Sequence, residues 1–182
     1  MKKKISILGS TGSIGVNALN VIRNIPEEYE IVHLTGNMNS DLMIKQCEEF
    51  HPKSIVMINE DSSEKVQKEL TNNDVEVLSG RESLLRISKD KNVDLVLNAL
   101  VGSSGMEPTF EALNAGVDVA LSNKESLVVA GDLIKSAMKN SGANLFPVDS
   151  EHSAIWQCLV GESIDDIEKI ILTGSGGPFR KR

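Results

Sequence analysis

Short apolar runs alternate with amphipathic stretches along the whole chain. Each apolar run has the length of a strand, and each following stretch repeats its apolar positions at helical spacing. The runs predict strands at residues 4–8, 30–35, 54–58, 75–78, 93–97, 117–121, 143–148 and 167–172. The intervening stretches predict helices over residues 14–25, 41–50, 62–70, 83–89, 107–115, 131–140 and 150–159. This alternation indicates an α/β fold in which helices cover both faces of a parallel sheet.

A glycine-rich turn follows the first predicted strand. Residues 9–15 read Gly-Ser-Thr-Gly-Ser-Ile-Gly, and the helical pattern begins inside this stretch at Ile14. Glycines permit a tight turn, and the N–H groups at a helix N-terminus can bind a diphosphate. The spacing G-x-x-G-x-x-G differs from the dinucleotide fingerprint G-x-G-x-x-G. Its position after the first strand nevertheless favours a Rossmann-like, doubly wound sheet that binds a dinucleotide.

The end of the second predicted strand bears on which dinucleotide is bound. NAD-selective sites of this kind carry an acidic residue that binds the ribose 2′-hydroxyl. Residues 36–40 are instead Gly-Asn-Met-Asn-Ser, with no acid before Asp41. A 2′-phosphate would meet no repulsion here, so NADP is favoured over NAD. No Arg or Lys lies in the turn itself, and Lys45 in the next helix is an alternative partner for that phosphate.

Composition and charge limit the kinds of partner that we expect the protein to bind. The chain has 26 acidic and 19 basic residues and a net charge of −7, which argues against a nucleic-acid-binding surface. No apolar stretch reaches the length of a membrane helix. Met1 leads almost directly into the first strand pattern and leaves no room for a signal peptide. We therefore expect a cytoplasmic protein, in which Cys47 and Cys158 are buried thiols in helices.

Candidate chemistry collects where predicted strands end. Asp149 and Glu151 follow the strand 143–148, and in an extended chain both point to one face, where they would suit a hard divalent cation. The alternative is a helix start, with Asp149 or Ser150 as the N-cap and Glu151 in the first turn. After the strand 117–121, Ser122 or Asn123 can cap a helix and Glu125 suits its first turn, but Lys124 puts a cation at the positive end of that helix. It could reach a substrate oxygen, or its side chain could simply extend into solvent.

Two glycine- and serine-rich loops also follow predicted strands. Residues 99–105 read Ala-Leu-Val-Gly-Ser-Ser-Gly, and a loop at this edge of the sheet is expected to border the cofactor. Residues 173–179 read Thr-Gly-Ser-Gly-Gly-Pro-Phe. Their backbone N–H groups could form an anion-binding nest, or the loop could be an ordinary turn.

Four of these stretches together resemble the 1-deoxy-D-xylulose 5-phosphate reductoisomerase family. They are GSTGSIG at 9–15, NKESLV at 123–128, PVDSEH at 147–152 and LTGSGGPF at 172–179. The resemblance covers the whole chain. It implies an enzyme that uses NADPH and Mg²⁺ or Mn²⁺ to rearrange and reduce a phosphosugar, 1-deoxy-D-xylulose 5-phosphate, to 2-C-methyl-D-erythritol 4-phosphate in non-mevalonate isoprenoid biosynthesis.

The same resemblance implies roles for individual residues. The residues expected to bind the cofactor are Thr11, Gly12, Ser13, Ile14, Asn37, Asn39, Asn123 and Glu125. Those expected to act in catalysis or contact the substrate are Lys124, Ser150, Glu151 and Ser175. The metal would be held by Asp149 and Glu151.

The chain departs from the family pattern in two respects. Met38 stands where the family often has a basic residue, which leaves the partner of the 2′-phosphate open. Family members also continue well beyond the second glycine loop. We therefore expect an N-terminal fragment of a protein that is homodimeric at full length, with an NADPH-binding domain at 1–149 and the beginning of an α+β catalytic domain at 150–182. The alternatives are a nucleotide-binding module without catalysis and another NADP-dependent reductase with a cysteine nucleophile.

Overall fold

The computed structural model describes residues 1–70 and 74–172, and in this part of the chain it contains seven strands and seven α-helices. The strands are β1 (Lys3–Leu8), β2 (Tyr29–Gly36), β3 (Ser54–Met57), β4 (Glu76–Ser79), β5 (Leu95–Asn98), β6 (Asp118–Leu121) and β7 (Leu145–Pro147). The helices are α1 (Ser13–Asn24), α2 (Ser40–Phe50), α3 (Glu60–Glu69), α4 (Gly80–Ser88), α5 (Met106–Asn114), α6 (Glu125–Ser141) and α7 (Ser150–Leu159).

All seven strands form one sheet in the order β4-β3-β2-β1-β5-β6-β7, and every neighbouring pair is parallel. The chain runs outward from β1 to β4 and then returns to the other side of β1, where β5 pairs with it. The strand order therefore reverses between β1 and β5. In open α/β sheets, ligands bind at the carboxyl ends of the strands beside such a reversal. The predicted Rossmann-like, doubly wound sheet is confirmed.

Apolar side chains of β1 point to both faces of the sheet and belong to two separate hydrophobic clusters, one on each face. Ile5 and Ile7 belong to the cluster that includes Leu19 and Met43 from the helices α1 and α2. Leu8 belongs to the cluster that includes residues of α4, α5 and α6. Burial of each large aliphatic side chain contributes about 2 kcal/mol. Within the described ranges, no helix combines the length and hydrophobicity that a bilayer-spanning segment requires.

Helix α6 joins the helix start predicted at residues 122–125 to the helix predicted over residues 131–140. Its first turn starts at Glu125, and Ala130 interrupts the helix with φ −133° and ψ 26°. Val128 and Val129, before this kink, are exposed. The two predicted segments are one helix in the structure. Because these valines do not face the core, its first part lacks the apolar periodicity that marks the part after Ala130.

Two expectations near the end of the described chain are wrong. Residues 167–172 do not form a strand. No strand of the described residues pairs with them, so an isolated strand would gain no ladder hydrogen bonds, and Ile171 is exposed. Cys47 is buried as expected, whereas Cys158 is exposed because α7 has no fully buried residue.

Candidate functional site

The glycine turn after β1 and the loop after β5 meet at the point where the strand order reverses. The Ala99 N–H donates to the Leu8 carbonyl oxygen at 2.9 Å. A Cβ added at Gly9 would lie 3.0 Å from the Ala99 carbonyl oxygen. Gly9 also has a φ of +83°, a conformation that other residues disfavour. Position 9 therefore requires glycine for both space and backbone conformation.

The start of α1 presents backbone N–H groups at this edge of the sheet. Gly12 is the N-cap residue, gives no side-chain hydrogen bond, and no acidic residue stands in the first turn. A Cβ added at Gly15 would lie 2.4 Å from the Gly9 carbonyl oxygen, so glycine lets the helix approach the turn closely. Uncapped N–H groups at the positive end of a helix dipole suit a diphosphate. All the residues expected to bind the diphosphate lie in this segment: Thr11, Gly12, Ser13 and Ile14.

A buried polar network holds the glycine turn from behind. The Thr35 hydroxyl oxygen accepts from Gly9 N–H, and its carbonyl oxygen accepts from Ser10 N–H, both at 2.8 Å. Gln46 binds Ser10 twice: its Oε1 accepts from the Ser10 hydroxyl at 2.7 Å, and its Nε2 donates to the Ser10 carbonyl oxygen at 2.9 Å. Neither Thr35 nor Gln46 was predicted from the sequence to support the site. One signal was present, because Gln46 lies on the same helix face as Met43 and Phe50.

The loop between β2 and α2 is exposed at Asn37, Met38 and Asn39. Asn39 is the N-cap of α2 and accepts from Leu42 N–H at 3.2 Å. The first acid after the loop, Asp41, forms an ion pair of 2.6 Å with Lys65 of α3. A hydrogen bond from Lys65, followed by the charges of Lys65 and Lys45, lowers the pKa of Asp41. Its negative charge is therefore matched by two nearby lysines.

Two buried asparagines shape the loop after β5. Asn98 Nδ2 donates to the Gly105 carbonyl oxygen at 2.7 Å and to the Thr109 hydroxyl at 2.8 Å. Asn123 Nδ2 donates to the carbonyl oxygens of Leu100 and Gly102. The Asn123 Oδ1 accepts from both the N–H and the hydroxyl of Ser126.

These bonds determine what Asn123 offers a ligand. Of the two capping side chains that the sequence allowed, Ser122 and Asn123, it is Asn123 that accepts from the first turn of α6. The Asn123 side chain is fully engaged inside the protein. Only its backbone remains for a cofactor. Lys124 and Glu125, the next two residues, are exposed at the start of the helix.

The segment that carries the carboxylates after β7 lies beside the segment that carries Lys124. The Val148 N–H donates to the Leu121 carbonyl oxygen at 2.9 Å, which brings the segments after β6 and β7 together. The Glu151 carboxylate accepts from the Ser150 hydroxyl at 3.0 Å. Its pKa is lowered by its own backbone N–H first, then by Ser150 and by the charge of Lys124. The opposing effect of Asp149 indicates that the two carboxylates are close enough to interact.

Asp149 occupies the N-cap position of α7, the alternative that the sequence left open. Its Oδ1 accepts from His152 N–H at 3.2 Å and lies 2.7 Å from the His152 Nδ1. A carboxylate has further lone pairs, so capping does not prevent metal binding. In the described part of the chain, no group of three or more His, Cys, Asp or Glu side chains could hold a metal ion. Ser175 and the glycine loop 173–179 lie outside the described residues.

Two sequence profiles match the chain. The profile described as 1-deoxy-D-xylulose 5-phosphate reductoisomerase matches residues 5–131, and the profile of that enzyme's C-terminal domain matches residues 145–182. The reductoisomerase of Chloroherpeton thalassium is 48% identical over 178 residues, which cover 98% of this chain and 46% of the relative. The chain therefore spans about half the length of the curated relatives it matches.

Solved structures of reductoisomerases likewise match almost the whole of this chain and about half of their own length. The 1-deoxy-D-xylulose 5-phosphate reductoisomerase of Zymomonas mobilis in complex with NADPH superposes with a TM-score of 0.92 at 35% identity, covering 99% of this chain and 47% of that one. A DOX-P reductoisomerase in complex with magnesium superposes with a TM-score of 0.91 at 39% identity. That match covers 100% of this chain and 48% of the other.

Proposed function

This chain belongs to the 1-deoxy-D-xylulose 5-phosphate reductoisomerase family, and from that premise we propose the function of the full-length protein. It converts 1-deoxy-D-xylulose 5-phosphate to 2-C-methyl-D-erythritol 4-phosphate with NADPH and Mg²⁺ or Mn²⁺, as a step of isoprenoid biosynthesis. One observation carries the proposal. The glycine turn, Lys124 and the pair Asp149 and Glu151 all follow strands at the carboxyl edge of one parallel sheet.

The cofactor half of this proposal assigns the diphosphate of NADPH to the start of α1. Within the segment Thr11 to Ile14, the N–H groups of Thr11, Ser13 and Ile14 are offered to it, because the Gly12 N–H is bound to the Gly9 carbonyl oxygen. Gly9 and Gly15 give the space. The 2′-phosphate is assigned to Asn37 and Asn39. The first acid after this loop, Asp41, is already paired with Lys65. Asn123, through its backbone, and Glu125 border the cofactor from the neighbouring strand. NADPH supplies the hydride, while the fold supplies its placement.

The substrate half of the proposal assigns the remaining groups. Asp149 and Glu151 would hold the divalent metal, which would supply Lewis-acid activation of the substrate's carbonyl group. Lys124 stabilises negative charge that develops on a substrate oxygen. Ser150 contacts the substrate, as does Ser175 in the glycine loop. The proximity of Lys124 to Glu151 supports a single site for these roles.

The reductase with a cysteine nucleophile finds no support. Cys47 is buried, and burial raises the pKa of its thiol to about 11, whereas a nucleophilic cysteine needs a lowered pKa. Cys158 is exposed on α7 in a group of mostly apolar residues that includes Ile155 and Ile167, rather than in a polar crevice at the carboxyl edge of the sheet.

The proposed activity is tested in the full-length enzyme. Substrate-dependent NADPH oxidation should stop when a chelator removes the metal and resume when Mg²⁺ or Mn²⁺ is restored. Asp149→Asn and Glu151→Gln should each lower kcat by at least about 100-fold, and both variants should bind NADPH as the parent does in calorimetry. Near-normal turnover in either variant would indicate that these acids serve only at the start of helix α7 and do not hold a metal.

For the 182-residue chain itself we infer NADPH binding with little or no turnover, because it spans about half the length of the relatives that it matches. The gap between the two matching profiles, from residue 131 to residue 145, supports a domain division close to 149. Two free cysteines fit a cytoplasmic location. Exposed apolar residues such as Ile164 and Ile171 fit a homodimer of the full-length protein.

The inferred inactivity of the isolated 182-residue chain has a direct test. Rapid metal-dependent NADPH oxidation by that chain would contradict it.

A further inference from the structure

We propose that Gln46 is a positioning residue that orients the backbone of the glycine turn toward the diphosphate. This inference rests on the proposed binding of NADPH. Gln46 comes from α2, 36 positions along the chain from Ser10, and its amide group contacts Ser10 at two atoms. Both residues are buried, Ser10 fully and Gln46 with 5% exposure. The contact is therefore a part of the protein interior that reaches the back of the turn.

The Ser10 carbonyl group is the important partner. Gln46 Nε2 donates to this carbonyl oxygen at 2.9 Å, so the oxygen points inward toward α2. In a trans peptide, the carbonyl oxygen and the following N–H lie on opposite sides of the bond, and the described chain has no cis peptide. The Thr11 N–H must therefore point outward, away from α2.

The outward N–H is available to a ligand. Among the described residues, the Thr11 N–H has no hydrogen-bond partner, while the neighbouring Ser10 and Gly12 N–H groups are both engaged. A rotation of the Ser10–Thr11 peptide would turn the carbonyl oxygen, rather than the N–H, toward the diphosphate. An oxygen facing the phosphate oxygens is repulsive. By holding the carbonyl inward, Gln46 keeps a donor on the ligand side of the turn.

Thr35 cannot replace this function. Its contacts hold Gly9 N–H, Ser10 N–H and the Ser10 hydroxyl. None of them involves the Ser10 carbonyl oxygen. Gln46 also connects the turn to α2, whose N-cap Asn39 belongs to the loop assigned to the 2′-phosphate. The two ends of the cofactor-binding surface are thus joined through one buried side chain.

The first test is Gln46→Met in the 182-residue chain, since methionine keeps the length of the side chain and removes both hydrogen bonds. NADPH affinity is measured by calorimetry. The dissociation constant should rise about tenfold if the turn is binding-competent about one tenth of the time. Val66→Ala, a truncation in the same core but in α3, is the matched control for lost stability. It should bind NADPH within about twofold of the parent, because the turn is intact.

Gln46→Glu gives a more specific readout in a variant of almost the same shape. A protonated carboxyl group at position 46 can still donate to the Ser10 carbonyl oxygen, but an ionised one cannot. Burial raises the pKa of a carboxyl group. After correction for the pH dependence of the parent, NADPH affinity should be close to normal near about pH 6 and weaker near about pH 8.5. A simple loss of packing would not produce that dependence.

Each outcome separates the two proposals. A folded Gln46→Met variant that binds NADPH like the parent overturns the positioning role, as does a Gln46→Glu variant with no extra pH dependence. If the parent itself fails to bind NADPH, the proposed function is overturned. Amide exchange then tests the positioning directly. Faster exchange at Ser10 and Gly12 in Gln46→Met, but not in Val66→Ala, supports it, and unchanged exchange overturns it.

Discussion

Replacing glycine by alanine should have opposite effects at two helical positions, Gly15 in α1 and Gly131 in α6. Alanine is intrinsically favoured over glycine inside a helix by about 1 kcal/mol. A Cβ added at Gly131 would meet no atom within 4 Å. Gly131→Ala should therefore raise the free energy of unfolding by up to about 1 kcal/mol.

At Gly15 the same methyl group meets the glycine turn. It would lie 2.4 Å from the Gly9 carbonyl oxygen, 2.5 Å from the Ser10 Cα and 2.8 Å from the Ser10 carbonyl carbon. All are backbone atoms in a turn held by Thr35 and Gln46, so none can rotate away. Reaching an ordinary contact of 3.4 Å requires the helix and the turn to separate by about 1 Å. Overpacking costs up to about 3 kcal/mol, and the helical preference returns about 1 kcal/mol, which leaves a net loss of about 2 kcal/mol.

Urea unfolding followed by circular dichroism measures both variants against the parent. We expect the midpoint to fall for Gly15→Ala and to rise for Gly131→Ala, with unchanged m-values. In thermal unfolding, the loss at Gly15 corresponds to about 4–8 °C. Gly15→Ala should also weaken NADPH binding, because α1 moves away from the turn. A Gly15→Ala variant as stable as the parent would refute the close approach between α1 and the turn.

Three further predictions concern stability away from the site. His51 ends α2 with a φ of +47°, so His51→Gly should raise the free energy of unfolding by up to about 1 kcal/mol in urea. The hydroxyl of Ser6 is the buried side-chain oxygen without a partner in the described residues. Ser6→Ala should therefore stabilise the protein by about 1 kcal/mol, and destabilisation would contradict the missing bond. Burial lowers the pKa of His33 from 6.5, against the opposing effect of Asp90, so unfolded His33 binds protons first as pH falls. The free energy of unfolding should therefore decrease as the pH is lowered past about 6.5. The urea midpoint, measured at one pH above and one pH below this value, should decrease less in His33→Gln than in the parent.

Which elements form, and in what order, was predictable because the relevant information is local. The spacing of apolar residues reports whether a segment presents one face or two to the core, and it correctly predicted the seven strands of the sheet. The glycine turn was recognisable for the same reason, since turn, strand and helix are adjacent in the chain. The same pattern gave a wrong prediction where a segment with a strand-like composition has no neighbouring strand in the part of the chain that the structure describes. Residues 167–172 have the composition of a strand but no neighbour to pair with among the described residues.

The tertiary structure alone decided which side chains support the site. Thr35 and Gln46 reach the turn from 25 to 36 positions away, and Asn123 reaches the loop after β5 from another strand. Such contacts depend on the order of the strands in the sheet, and alternation of strands and helices is compatible with many orders. The sequence by itself therefore determined the class of fold, the glycine turn and the residues around Lys124 and Asp149 that offer chemistry. Only the strand order, which places β2 and β5 on either side of β1, decided how those residues are held.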